Sequence, residues 1–250
     1  MHTFLWIPPL IKIGHGMTFT IIGHCRRTGK LGFCQATSSV AVGGRCADVV
    51  PGRAVFSVQA TGDSRQKDEA RQLLEAGHSP VQALEALRKS DPYFQNRQIA
   101  ILDINGNVAV NTGDRARPWA GEIVGNNHIS TGNVLVNKGV VLAMTKAFES
   151  SEDQELEERL LRAVEAGRDA GGQEEGQTSC ALLVYEQHTF PIVNLRVDVA
   201  LEPIAEMRKI LDWFKPLIPY YVRRTLDPTS VEPKKAVLEK WGYPLNPYSV

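Results

Sequence analysis

Two stretches of paired amphipathic helix divide this chain into three blocks of strand-forming sequence, and that order constrains the fold more than any single motif does. The first pair is predicted at residues 65–76, with Leu73 and Leu74 on its apolar stripe, and after Ser79, a helix N-cap followed by Pro80. Val81, Leu84 and Leu87 recur there at helical spacing. The second pair is predicted at residues 138–149 and 153–168. Leu156, Leu160, Ala163 and Val164 face inward there, and the glutamates and arginines form a solvated outer face. Connections this short fold each pair back as an antiparallel hairpin.

The strand blocks read as hairpins. Residues 18–25 and 31–37 flank the turn-forming Arg26-Arg27-Thr28-Gly29-Lys30. One strand is predicted at residues 54–59, and residues 97–104 and 107–112 are joined at Asn105-Gly106, the strongest short hairpin signal. Residues 121–129 read as one shorter strand ending at Ser130-Thr131-Gly132-Asn133. The last strands are predicted at 178–185 and 192–198, before a helix over 203–214. Hairpins make the sheets mainly antiparallel, and helical hairpins with one apolar face must cover them. The predicted architecture is therefore α+β, a four-layer αββα sandwich of two face-to-face sheets with helices outside both.

Composition narrows the function classes. Lys plus Arg and Asp plus Glu both number 28, and no basic run occurs, so neither a nucleic-acid partner nor a membrane partner is expected. The four cysteines lack Cys-x-x-Cys spacing and the six histidines lack ligand-like pairs, so no metal site, cofactor or disulfide framework is predicted, and the chain reads as cytoplasmic. Residues 1–16 are apolar but broken by Pro8 and Pro9. They read as an extension foreign to the fold, too short to span a bilayer. Residues 17–212 form the predicted αββα domain. Residues 213–250 form an aromatic, proline-punctuated tail with little repeating pattern, expected to pack on its own domain or on a second subunit as a homodimer contact.

The chemistry-bearing feature is Met17-Thr18 at the head of the first strand. If Met17 is absent, Thr18 carries a hydroxyl and a free α-amine, so nucleophile and general base arrive together. The bland alternative is a β-branched residue opening a strand. Thr37, Ser38 and Ser39 end the second strand close to Thr18 and could orient the amine or line a pocket, or be ordinary polar loop residues. Gly132-Asn133 is the leading oxyanion element, through the Asn133 side chain or nearby backbone N–H groups, with a cap or turn role for Asn133 as the alternative. Gly43-Gly44 is the rival element. Ser179 could hydrogen-bond at the N-terminus or be a strand-edge hydroxyl. Arg196 could recognise a carboxylate, although an ion pair with Asp198 is the default. Cys25 and Cys34 compete as nucleophiles but read as buried apolar thiols. His24 beside Cys25 points to the opposite strand face.

Taken together the motifs resemble a family of bacterial proteins of unknown function with an Ntn-hydrolase-like fold. Members typically begin Met-Thr-Phe-Ser-Ile, matched by Met17-Thr18-Phe19-Thr20-Ile21. Ala41-Val42-Gly43, Arg97-Gln98 with Asp103 and Gly106, Thr112-Gly113, Ala120-Gly121, Gly132-Asn133, Ala170-Gly171-Gly172, Gly176 with Ser179, and Leu195-Arg196-Val197-Asp198 follow in the family's order, over residues 17–211. The resemblance implies an αββα Ntn fold whose first strand presents the nucleophile, and Met17 as the natural start. The chain departs from the pattern at Gly171-Gly172-Gln173-Glu174-Glu175-Gly176-Gln177-Thr178-Ser179, where the family tends to have Gly-Gly-Asp-x-Arg-Gly-x-Gln-Ser. Residues 61–65 also lack its Tyr-Gly-x-x-Gly. If these positions line the pocket, the substrate differs from that of a typical member. The implied function is an N-terminal-nucleophile amidohydrolase acting on a small-molecule amide or related C–N bond. The alternative is a non-catalytic metabolite-binding or scaffold protein on the same fold, and a third reading is hydrolysis by a bound metal.

Overall fold

A computed structural model describes residues 17–246, so the expectation for residues 1–16 lies outside the described residues. The chain opens with the hairpin β1 (Thr18–Cys25) and β2 (Lys30–Thr37), turning through Gly29 at φ 71°. The strand predicted at 54–59 is β4 (Ala54–Ala60), and an unpredicted strand, β3 (Ala47–Val50), precedes it, the chain reversing between them at Gly52 with φ 67°. Helices α1 (Ser64–Glu75) and α2 (Pro80–Ser90) follow. Ser79 and Gln82 close a capping box at the start of α2. Pro80, Ala83 and Leu87 are the buried stripe of α2. Val81, predicted on it, lies one residue round the helix and is exposed.

Strands β5 (Arg97–Asp103) and β6 (Val108–Thr112) form the next hairpin. Asp103 Oδ1 accepts from the backbone N–H groups of Asn105 and Asn107 in its loop. The single strand predicted at 121–129 is instead a hairpin of β7 (Gly121–Gly125) and β8 (His128–Asn133). Asn126 and Asn127 make the turn, with Asn127 at φ 61°. Asparagine tolerates the left-handed conformation, so a tight turn forms without glycine and the apolar pattern hides it. Then come α3 (Gly139–Glu149), α4 (Leu156–Asp169), β9 (Ser179–Tyr185), β10 (Pro191–Val197) and α5 (Pro203–Phe214). The tail, in which little repeating pattern is legible, forms α6 (Ile218–Leu226) and α7 (Lys234–Trp241). It packs on its own domain: Leu217 is fully buried, Ile218 joins the core beneath α5, and the Tyr243 hydroxyl donates to the Asp212 carbonyl.

The strands form a six-stranded sheet, β10-β9-β2-β1-β8-β7, and a four-stranded sheet, β3-β4-β5-β6, both wholly antiparallel. Three apolar clusters mark the interfaces of the αββα sandwich. Phe19, Ile21 and Cys34 on the outer face of the larger sheet meet Met144, Leu160 and Met207 of α3, α4 and α5. Phe56, Ile99 and Ile101 on the outer face of the smaller sheet meet Leu74 and Leu87 of α1 and α2. Ile22, Leu31, Phe33, Val49, Val55 and Leu102 fill the layer between the sheets. Gly167 of α4 permits close approach, because a Cβ there would sit 2.8 Å from Met144 Cγ and 3.3 Å from Phe19 Cε2.

The outer face predicted for α4 is not fully solvated. Leu156, Leu160, Ala163 and Val164 face inward as predicted, but Glu157, Glu158 and Arg159 are also buried. The two carboxylates survive burial because they are paired, Glu157 with Lys30 of β2 and Glu158 with Arg208 of α5, and the Arg159 guanidinium donates to the Phe148 carbonyl and lies over that ring. Glu158 binds Arg162 at 2.6 Å and Arg208 at 2.9 Å, and Arg208 also binds Glu165 at 2.8 Å. Burial opposes ionisation of Glu158, yet the hydrogen bonds from Arg162 and Arg208 prevail and hold its pKa at about 2.

Candidate active site

Strand alternation puts Thr18, Thr20, Ile22 and His24 of β1 on the face toward the second sheet, and Phe19, Ile21 and Cys25 toward the helices. The register then lines up four of the predicted residues in one row across the larger sheet. Asn133 of β8 lies opposite Thr18, Thr18 opposite Thr37 of β2, and Thr37 opposite Ser179 of β9. All four are buried. In an antiparallel pair such partners are about 4.5–5.5 Å apart at Cα.

Thr18 Oγ1 lies 3.2 Å from Thr37 Oγ1. The Thr37 hydroxyl also bonds the Met17 carbonyl oxygen, and the Ser38 backbone N–H donates to that same oxygen at 3.3 Å. A carbonyl oxygen therefore already sits between two donors beside the Thr18 hydroxyl. Met17 is itself buried and lines a cavity of about 230 Å³ with Arg117, Pro118, Val134, Leu135, Glu174 and Glu175. Val134, which follows Asn133, has φ 53°, a conformation that a β-branched residue adopts at a cost of about 1–3 kcal/mol.

Asn133 ends a strand and is neither a helix cap nor a turn residue. Its Nδ2 donates to Gln98 Oε1 at 3.1 Å, and its buried Oδ1 has no hydrogen-bond partner among the described residues. Gln98 is the hub. Its Nε2 donates to Gly132 O at 2.9 Å and Thr112 Oγ1 at 2.8 Å, and its Oε1 also accepts from Gln59 Nε2 at 2.8 Å. Gln59 Oε1 accepts in turn from Thr20 Oγ1 at 2.7 Å and Ser57 Oγ at 3.1 Å. This network ties the strand of Thr18 to the opposite sheet, and sequence reasoning passed over it. The available signal is polar residues at alternate, inward positions of otherwise apolar strands, as at Ser57 and Gln59 or at Gln98 beside Ile99 and Ile101. Gly132 contributes its carbonyl to Gln98, and a Cβ there would meet Leu135 at 2.6 Å.

The other predicted residues lie further along the sheet. Ser179 Oγ donates to Ser39 O at 2.7 Å and accepts from Val42 N–H at 3.1 Å, fixing the loop after β2 rather than reaching Thr18. Gly43 wedges between Ala181 and Arg196, where a Cβ would sit 2.9 Å and 3.2 Å away, and Gly44 also faces Arg196. Arg196 is ion-paired with Asp198 at 2.8 Å. It stands on β10, three strands from β1, so strand spacing alone separates it from Thr18 by roughly 14 Å. Gly43, Gly44 and Arg196 are thus not brought to Thr18.

Cys25 and Cys34 face the helix layer inside the apolar core. Burial, then the adjacent Cys180 thiol, pushes the Cys34 thiol well above its usual range, the opposite of what activates a nucleophile. Burial also lowers the His24 pKa. Among the described residues no three or more His, Cys, Asp or Glu side chains converge as metal ligands, and no helix is long and apolar enough to cross a membrane.

Comparison with known proteins places these features in a family. A crystal structure of a protein from Silicibacter pomeroyi, assigned to the DUF1028 family, superimposes with a TM-score of 0.73 at 32% sequence identity, covering 79% of this chain and 86% of that one. Anbu (ancestral beta-subunit) from Yersinia bercovieri gives a TM-score of 0.42 at 11% identity, covering 82% of this chain and 96% of that one. No curated protein matches the sequence. The family described as "Family of unknown function (DUF1028)" matches residues 18–207, beginning at Thr18 itself. The chain belongs to the DUF1028 family.

Proposed function

We propose that this protein is an N-terminal-nucleophile amidohydrolase cleaving a small amide or related C–N bond, with Thr18 as nucleophile once the residues before it are absent. The observation that carries this reading is the Met17 carbonyl oxygen held by the Thr37 hydroxyl and the Ser38 N–H beside Thr18 Oγ1. Loss of Met17 frees both donors and leaves room for the carbonyl of a substrate. The start of the family match at Thr18 supports the same chain end.

The α-amine of Thr18, with a reference pKa of about 7.7–8.0, accepts the hydroxyl proton as Oγ1 attacks the carbonyl carbon. Negative charge then develops on the carbonyl oxygen. Ser38 N–H and the second Nδ2 hydrogen of Asn133 are the candidate donors to it, and the Thr37 hydroxyl orients Thr18 Oγ1. The ammonium returns its proton to the leaving nitrogen, and water then hydrolyses the acyl ester on Thr18. Asn133 Oδ1, which has no partner among the described residues, is available to the ammonium. Four free cysteines fit a cytoplasmic location. Exposed Leu226 and Trp241 on the tail offer the surface a homodimer would use.

The test is a screen of protein beginning at Thr18 against small amides, ureides and acyl amino acids, beside the Thr18→Ala variant. Activity in the first and none in the second is expected. Equal activity in both overturns the proposal in favour of another nucleophile, and binding without turnover favours the metabolite-binding alternative.

A further inference from the structure

A second, larger cavity of about 670 Å³ lies on the other side of the loop that follows α4. Its wall includes Arg168, Gln173, Glu175, Thr178, Leu201 and Glu202. Glu175 also lines the smaller cavity at Met17, and the Thr178 N–H donates to the Thr37 carbonyl at 2.7 Å, so the larger cavity adjoins the Thr18 row. Gln173 is the anomaly in it. Its side chain is only 3% exposed, yet neither Nε2 nor Oε1 has a hydrogen-bond partner among the described residues. A buried carboxamide with both ends unpaired is destabilising, and apolar residues of the same size would serve packing better. Gly171, Gly172 and Gly176, with φ of 108°, 51° and 73°, bracket it, so the loop can re-aim the side chain without Cβ strain.

The chemistry of the wall selects the ligand. Glu175 and Glu202 disfavour an anion, and the one guanidinium, that of Arg168, is taken by Asp169 at 2.8 Å. Exposed Val199 and Leu201 add apolar surface. We propose that this cavity is an amide-recognition subsite, in which the Gln173 carboxamide pairs through one N–H and its C=O with a neutral carboxamide or peptide amide of the substrate, remote from the bond cleaved at Thr18. The inference rests on the proposed hydrolase reading for that second bond. It names the substrate as a compound carrying a further amide.

The test uses protein beginning at Thr18 and carrying Thr18→Ala, which binds without turning over. N-acetylglycinamide, with two amides and no charge, is titrated while backbone amide resonances are followed by NMR. Saturable shifts confined to residues 171–178 and the cavity wall are expected, with affinity about tenfold weaker in Gln173→Leu and a melting temperature unchanged or raised. Gln173→Met, similar in length and without hydrogen-bonding groups, repeats the measurement should the leucine variant fail to fold. An absence of saturable shifts, or affinity in the Gln173 variants equal to that of the protein with Gln173 intact, overturns the subsite whatever the role of Thr18. Gln173-dependent binding in a protein that hydrolyses no amide supports the subsite and overturns only the hydrolase reading.

Discussion

The layer between the two sheets has two unlike ends, built from the same strands. At one end Ile22, Leu31, Phe33, Val55, Leu102 and Ile129 make an ordinary apolar sheet-on-sheet contact. Further along the same inward faces, β1 changes to Thr20 and Thr18, β2 to Gln35 and Thr37, β4 to Ser57 and Gln59, β5 to Gln98, and β8 to Thr131 and Asn133, all buried. The change falls at matching levels across these five strands, one residue pair later in β5, where Ala100 lies opposite Ser57. Sheet packing requires nothing of the kind, because apolar residues would bury more area and leave no polar group to satisfy. The apolar end holds the sheets together. The polar end holds Thr18, Thr37 and Asn133 in fixed relation.

That division predicts separable effects. The largest loss of stability is expected from Phe33→Ala at the apolar end, about 3–5 kcal/mol in urea denaturation, with activity per folded molecule unchanged. Gln98→Leu should cost about 1–3 kcal/mol, because it orphans Gln59 Nε2 and Asn133 Nδ2, and should also lower the hydrolytic rate about 10²-fold by releasing Asn133. A Gln98→Leu protein with full activity would break the assignment of the network to the site. Acid should act elsewhere. The folded-state pKa of Glu158, about 2, lies below its unfolded value, so its stabilising contribution is present above about pH 4.5 and lost as pH falls toward 2. Glu158→Gln should therefore flatten the acid limb of a stability–pH curve and leave the pH profile of activity untouched. Thr18→Ala is expected to change stability least, by about 1 kcal/mol or less, while abolishing activity.

Much of the fold was legible in the sequence, because the helical stripes at Leu74 and Leu87, Leu160 and Val164 obey a simple period and the Gly29 and Asn105-Gly106 turns carry their own signals. What was not legible followed from chemistry that periodicity ignores. Asn126-Asn127 turns without a glycine, so β7 and β8 read as one strand. The Glu157-Glu158-Arg159 run reads as solvated because pairing partners such as Lys30 and Arg208 lie far away in sequence. For the site, Met17-Thr18 was visible as a Met-Thr pair opening an apolar strand, and Thr37-Ser38 as the polar end of the strand that pairs with it. Gln98 and Gln59 were not, since a single buried amide in a strand looks like an edge residue until its partner across the layer is known. Gly43-Gly44 looked like site residues because glycine amides can lie open to a ligand, and Arg196 because a guanidinium can take a carboxylate; the sheet order sets Arg196 three strands from β1, and the two glycines pack against it.

The most direct test of the central claim is the identity of residue one in protein made from its native gene, read by N-terminal sequencing and intact mass alongside the amide screen. Activity confined to chains that begin at Thr18 is the predicted result. Amide hydrolysis by chains that retain Met17, whose peptide bond locks the Thr18 nitrogen, would contradict it.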